Sequence, residues 1–257
     1  MPAGWCRPGA APSAEFGTVP SWIALCPLWS LPEHLDWIAT LGARTLVAVS
    51  STSMMSKRNS VSVAERRVAA ALATAERTAT DWASRQGVRL CILRPTMIYD
   101  GTNDGNLTAI ARFVRRARCF PVCGPAGGLR QPVHAADVAA ACAAALVAER
   151  LEPCYDLSGG ETLSFRDLVL RTCAAQGLPR RLVTLPTPLW HVLVPLARAL
   201  GLGVTMGMVR RMNEHLVFDH AAAARDLGFR PRPFQPAAEP SRLRIEDPGA
   251  GVSRGQA

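Results

Sequence analysis

Between residues 45 and 165, short apolar runs rich in valine, leucine and isoleucine take turns with longer stretches of helical period, and few folds accommodate that rhythm. TLVAVS at 45–50 has the length and unbroken apolarity of a strand buried on both faces. VRLCILRP at 88–95 is a second such run, stopped by Pro95. Between them Val68, Leu72, Ala75, Ala79 and Trp82 recur at alternating steps of four and three, which sets them on one face of a helix over about 63–85, before Gly87. A further helix is expected over about 106–118. After the glycine- and proline-rich PVCGPAGG, Asp137 is the expected cap of an alanine-rich helix, DVAAACAAALVAER. CYDLSG reads as another short strand, and Ser164 as the cap of FRDLVLRTCAAQ. A parallel α/β sheet is the expected outcome.

Upstream, WIALCPLWSL is apolar but is broken by Pro27 and Pro32, so it reads as a short strand, a loop and a helix over about 32–41 ended by Gly42. Residues 1–20 have no periodicity and form an expected irregular leader; 236–257 form an expected flexible tail. PLWHVLVPLARALGLGVTMGMV at 188–209 is the most apolar stretch, yet Pro195, Arg198, His191 and three glycines favour two short packed helices over a membrane span.

Composition narrows the function classes. A chain of 257 residues with 49% hydrophobic residues can build a core without disulfides or metal. The net charge of +9 invites a nucleic-acid reading, but every basic residue except Lys57 is arginine and the arginines are dispersed. That skew fits GC-rich bacterial coding and a solvated basic face, so no nucleic-acid partner is expected. The 8 cysteines form no C-x-x-C pair, and Cys119 with Cys123 lacks a second pair to complete a zinc site. They read as buried thiols of a cytoplasmic protein without a metal site.

Five stretches, in order, resemble the extended short-chain dehydrogenase/reductases, the NAD(P)-dependent epimerase/dehydratase family: VAVSSTS, LRPTMIYD, GLRQPVHAADVAAA, YDLSGGETLSFRDLV and LGFRPRPF. The likeness runs from about Trp22 to Phe234 and leans toward the atypical branch that includes the NADPH-binding subunit of respiratory complex I. It implies an incomplete doubly wound Rossmann-type sheet over 21–150, with a small C-terminal α/β substrate portion over 151–235. It also implies NAD or NADP as cofactor, a nucleotide sugar or related small molecule as substrate, and oxidoreductase chemistry.

On this resemblance Thr52 is the nearest match to the catalytic hydroxyl, with Ser51 and Ser53 as alternates; a hydroxyl at a parallel strand's carboxyl end faces the crevice where such sheets bind ligands. The same residues read equally well as a turn satisfying its own backbone. Resemblance further implies that Ser50, Arg94, Pro95, Thr96 and Met97 line the nicotinamide site, and that Arg130 and His134 lie on the substrate side. Arg130 matches an arginine suited to a diphosphate, or else forms an ion pair with Asp137 or another acid. His134 packs at a strand end on the simpler reading.

Two family features are missing. Aligning the long helix on Ala73 to Glu76 puts Val68 where the family has a tyrosine base and Leu72 where it has the lysine that lowers that tyrosine's pKa. Neither moves a proton. The glycine-rich phosphate turn is absent before Trp22; GLGVTMG at 201–207 follows a helical pattern, and GPAGG at 124–128 reads as a loop with no strand before it. The resulting expectations are an N-terminally shortened or catalytically impaired enzyme, with the strand near Trp22 at a bare sheet edge. The alternative is a non-catalytic binding or assembly protein, homodimeric or seated on a partner or membrane surface.

Overall fold

The computed structural model describes residues 17–100, 105–199 and 203–236, so most of the expected leader and all but residue 236 of the expected tail lie outside the described residues. In chain order the elements are β1 (Ser21–Ala24), a 3-10 helix (Leu28–His34), α1 (Leu35–Thr40), β2 (Thr45–Val49), α2 (Ser53–Ser56), α3 (Val63–Gln86) and β3 (Arg89–Pro95). There follow β4 (Ile98–Tyr99), α4 (Gly105–Ala117), β5 (Phe120–Cys123), β6 (Leu129–Arg130), β7 (Val133–His134), α5 (Ala135–Val147) and β8 (Cys154–Leu157). The last are β9 (Leu163–Ser164), α6 (Phe165–Ala175), β10 (Leu182–Leu185), α7 (Thr187–Ala199), α8 (Met206–Arg211) and α9 (Ala221–Leu227).

A parallel four-stranded sheet in the order β1-β2-β3-β8 forms the centre. Strand parity divides its side chains between two cores. Leu46 and Ala48 turn toward α3 and the 3-10 helix, where they meet Leu72, Ala75, Ala79 and Trp82. Val47 turns the other way, with Cys91, Leu93, Tyr155 and Leu157, onto α5 and α9. A fully buried leucine or valine of this kind contributes about 1.5–3 kcal/mol relative to exposure, which explains why strands covered on both faces read as continuous apolar runs. β1 pairs only with β2 among the described residues, as expected of the strand near Trp22.

β8 belongs to this sheet although it lies beyond residue 150, so the sheet crosses the boundary placed there. Outside it, β5 pairs with β10, β4 with β7 and β6 with β9, and the helices α4 and α6 pack together nearby. Three local expectations change. The helix over about 32–41 is a 3-10 turn containing Pro32 followed by a short α-helix, because proline inside a longer α-helix would forfeit a hydrogen bond. PVCGPAGG begins inside β5. The α5 cap is His134, whose Nδ1 accepts from the Ala136 amide at 3.1 Å, and Asp137 sits in the first turn, paired with Arg232. Ser164 caps α6 as expected.

The apolar 188–209 stretch forms parts of two short helices, α7 and α8. No helix among the described residues is long and apolar enough to cross a membrane.

Candidate functional site

The carboxyl ends of β2, β3 and β8 bring residues 50–53 and 94–97 into one region. Positions 46, 48 and 50 share a face, and so do 92 and 94, so Ser50 and Arg94 both reach α3 and meet at Glu76. Ser50 Oγ donates to Glu76 Oε1 at 2.5 Å, and Arg94 grips both carboxylate oxygens, Nη2 at 2.5 Å from Oε2 and Nε at 3.1 Å from Oε1. Arg94 is held above its ordinary pKa, chiefly by the hydrogen bond to Glu76. Asp156 lies beside Arg94 in the β3–β8 register; burial raises its pKa, and its Oδ1 is buried with no hydrogen-bond partner among the described residues.

The hydroxyl loop is tied to the strand beside it. Thr52 is 5% exposed; its amide donates to the Pro95 carbonyl at 3.1 Å and its Oγ1 to the same oxygen at 3.2 Å. Ser51 Oγ accepts from the Ser53 amide at 3.1 Å, an ST-turn at the start of α2. The Thr96 amide donates to the Leu157 carbonyl at 2.9 Å, while the Met97 carbonyl accepts from the Val133 amide at 3.0 Å. These contacts order the strand ends as a rigid platform.

On the same helix, Val68 is half-buried and Leu72 is 4% exposed, both packed in the apolar α3 cluster. No proton-transferring side chain occupies either of the two positions at which the resemblance expects tyrosine and lysine.

One turn past Thr52, a cleft of about 260 Å³ opens between α2 and α8, lined by Ser56, Asn59, Ser60, Arg210, Arg211 and Glu214 among others. Glu65, in the first turn of α3, ties two of these lining residues, Ser60 and Arg211, together. It accepts from Ser60 Oγ at 2.5 Å, from Thr205 Oγ1 at 3.2 Å and from Arg211 Nη2 at 2.7 Å. Burial opposes ionisation of this carboxyl, but the hydrogen bonds from Arg211, Ser60 and Thr205 outweigh it and hold the pKa at about 2. Burial and the Arg211 charge together lower the pKa of Lys57. Arg210 is exposed and enters no salt bridge among the described residues.

Arg130 and His134 are not among the residues lining that cleft. The Arg130 guanidinium donates to the carbonyls of Leu129 and Glu214, each at 2.7 Å, and to that of Arg211, and it lies over the Phe165 ring at 5.6 Å. Burial, with the Arg211 charge behind it, lowers its pKa to about 10. Asp137 is paired with Arg232 instead, so the ion pair considered for Arg130 does not form. His134 spends Nδ1 on the α5 cap, and burial lowers its pKa.

A dinucleotide pyrophosphate requires backbone amides at a glycine-bearing strand-to-helix turn. β1, β2 and β3 run on into Leu25, Ser50 and Thr96. Gly124 to Gly128 do follow a strand, β5, contrary to the expectation, but they lead into β6, and a Cβ on Gly128 would lie 2.4 Å from the Glu214 carbonyl oxygen. That glycine makes room for a crossing backbone. The described residues therefore do not fit the pyrophosphate, and no chemical step can be routed through a dinucleotide on them alone.

Glu65, Glu76, Asp156 and Arg211 were not singled out by sequence reasoning as site residues. Two of them carried a signal: Glu65 and Glu76 fall on the apolar stripe of α3, where an unpaired acid would be costly and a buried partner is implied.

Residues 33–155 match the model of the NAD dependent epimerase/dehydratase family. The uncharacterized protein y4nG of Sinorhizobium fredii is 27% identical over 150 residues, which cover 58% of this chain and 37% of that protein. Among solved structures, the UDP-glucuronic acid 4-epimerase of Bacillus cereus in complex with NAD superposes with a TM-score of 0.58 at 11% identity, covering 80% of this chain and 60% of that one. The RMD protein of Pseudomonas aeruginosa complexed with NADPH gives 0.58 at 16% identity, over 83% of this chain and 76% of that one. The UDP-glucose 4-epimerase of Thermotoga maritima with UDP-glucose gives 0.58 at 16%, over 82% and 72%. The chain thus spans little more than a third of its curated relative and three fifths of the Bacillus cereus enzyme.

Proposed function

From the premise that residues 33–155 belong to the NAD dependent epimerase/dehydratase family, we propose that the protein is a nucleotide-sugar-binding relative of the NAD(P)-dependent epimerases and dehydratases that performs no proton transfer of its own. The observation that carries this reading is the cleft beside Thr52. Its walls offer Arg210 and the hydroxyl of Ser56 to a diphosphate, while the two α3 positions that would supply acid–base chemistry hold Val68 and Leu72. In this reading the Ser51 hydroxyl orients a sugar hydroxyl or carbonyl, with Thr52, Pro95, Thr96 and Met97 as the backing platform. The oxidoreductase reading, with NAD or NADP bound and hydride transferred, applies to the whole fold of the relatives, and we extend it to this protein only as a proposal. The same reading places the protein in the reducing cytoplasm, where buried free thiols such as Cys91 persist.

Calorimetric titration of the full chain with UDP-glucose tests the reading, alongside assays for UDP-glucose turnover with added NAD and NADP. Saturable binding that weakens about tenfold in Arg210→Ala, a loss of about 1.4 kcal/mol, without turnover, is the expected result. Absence of binding at millimolar UDP-glucose, or turnover by this chain, would overturn it.

A further inference from the structure

A second and larger groove, about 1080 Å³, lies between the N-terminal turn of α3 and the helices α7 and α8, on the far side of Val61 from the cleft above. Its volume lies just above the roughly 300–1,000 Å³ usual for small-molecule sites. Val63, Val194, Pro195, Val204 and Met206 give it mostly carbon walls. Val194 is 4% exposed and Val204 and Met206 pack on the same core cluster, so the floor is continuous with the protein interior.

Charge enters this groove with one sign. Arg67 comes from α3 and Arg198 from α7 on the opposite wall, with His191 between apolar neighbours; no aspartate or glutamate is among the lining residues. Both arginines are exposed, and neither forms a salt bridge among the described residues. The positive end of the 24-residue helix α3 points the same way, and Ser62 at its N-cap makes no side-chain capping hydrogen bond. The acid nearest in sequence, Glu65, is committed to Arg211. Among the described residues no Phe, Tyr or Trp lines the walls, so a nucleobase would find no ring there to stack on.

We propose that this groove binds a single-chain anionic amphiphile of the fatty-acid class, its acyl chain against Val63, Val194, Val204 and Met206 and its carboxylate between Arg67 and Arg198. The site stands independently of nucleotide-sugar binding. An apolar chain needs the valine and methionine wall, and an anion needs the two arginines that no acid neutralises among the described residues. A simple phosphate would leave most of the wall wet, and a neutral hydrocarbon would leave the arginines without a partner.

Fluorescence titration of the full chain with cis-parinaric acid, kept below its micelle concentration, tests the site. Saturable one-to-one binding is expected, displaced by dodecanoate and at least about tenfold less well by dodecanol, a difference of about 1.4 kcal/mol. Arg67→Glu with Arg198→Glu changes exposed positions only and should weaken the probe at least about tenfold, with the thermal midpoint as control for folding. Val63→Trp, also at an exposed position, should reduce probe binding by filling the groove. Absence of saturation, equal displacement by acid and alcohol, or an unchanged affinity in the charge-reversed variant would overturn the proposal. So would binding confined to anionic phosphatidylglycerol vesicles without binding of the monomeric probe, since that would mark a membrane-docking face.

Discussion

Arg211 Nη2 donates to Oε1 of Glu65 at 2.7 Å across a sequence separation of 146 residues, pinning α8 to the first turn of α3. Their side chains are 13% and 10% exposed, so the pair is shielded from solvent and salt. Because Glu65 falls from an ordinary 4.5 to about 2 in the folded protein, its stabilisation is fully present above pH 4.5 and disappears as the pH falls through about 2. Glu65→Gln should cost about 3 kcal/mol at pH 7 by leaving Arg211 buried without its anion. Urea midpoints of both proteins from pH 7 to pH 2 should converge at the acid end, and a gap of constant size would show that the charge pair is not its source.

Gly207 on α8 touches this pair. A Cβ there would lie 2.4 Å from Glu65 Oε2 and 2.7 Å from Ser60 Oγ. Glycine to alanine inside a helix ordinarily stabilises by about 1 kcal/mol, but Gly207→Ala should instead cost about 1–3 kcal/mol, since the carboxylate is held on several sides and has nowhere to retreat. Placed in a Glu65→Ala background, the same change should lose its penalty. A double-mutant cycle from denaturant unfolding measures this coupling, and strict additivity would refute it.

Arg94 is the cation shared by Glu76 and its neighbour Asp156. Arg94→Met should destabilise by about 3–5 kcal/mol, because the Glu76 carboxylate, 7% exposed, is left without its partner. Acidification should return part of the loss as Asp156 takes up a proton: burial raises its folded pKa, so its neutral form is favoured at low pH and destabilisation grows as pH rises. Adding Glu76→Gln should rescue the variant at pH 7. Thermal midpoints of the three proteins at pH 5 and pH 7 distinguish this from a simple packing loss, for which pH would make no difference.

Leu72→Lys, which puts into α3 the lysine that the resemblance expects, should not create a proton relay. The position is 4% exposed among Leu46, Ala75 and Leu31, so the ammonium would be buried without an anion at a cost of about 3–5 kcal/mol. Val68→Tyr with Leu72→Lys should accordingly be less stable than the native protein and remain without UDP-glucose turnover in the presence of NAD; recovered turnover would show that the backbone still holds the pair in working geometry.

The elements legible in the sequence are those whose signal is local. β2, β3 and α3 announce themselves by unbroken apolarity or by the step from Val68 through Leu72 to Trp82, and the structure places them within a residue or two of the expected bounds. The two-residue strands β4, β6, β7 and β9 have no such signature, because they exist only through partners distant in sequence: Leu129 pairs with Ser164, and Ile98 with Val133. β5 was hidden for a related reason, since Pro121 and the glycines beyond it read as a loop until β10 is laid beside them. At the site, the hydroxyls and the Arg-Pro pair were visible as motifs. Arg211 was not, because nothing around it in sequence predicts a carboxylate arriving from α3.

The two faces of β2 carry different cargo: 46, 48 and 50 meet α3, while 47 meets α5. A codon gained or lost inside this strand would therefore do more than shift it. Ser50 would point into the aliphatic layer around Tyr155, Leu46 and Val47 would exchange sides, and Glu76 with Arg94 would lose the hydroxyl between them. The reading frame of the strand is thus guarded by its own side chains.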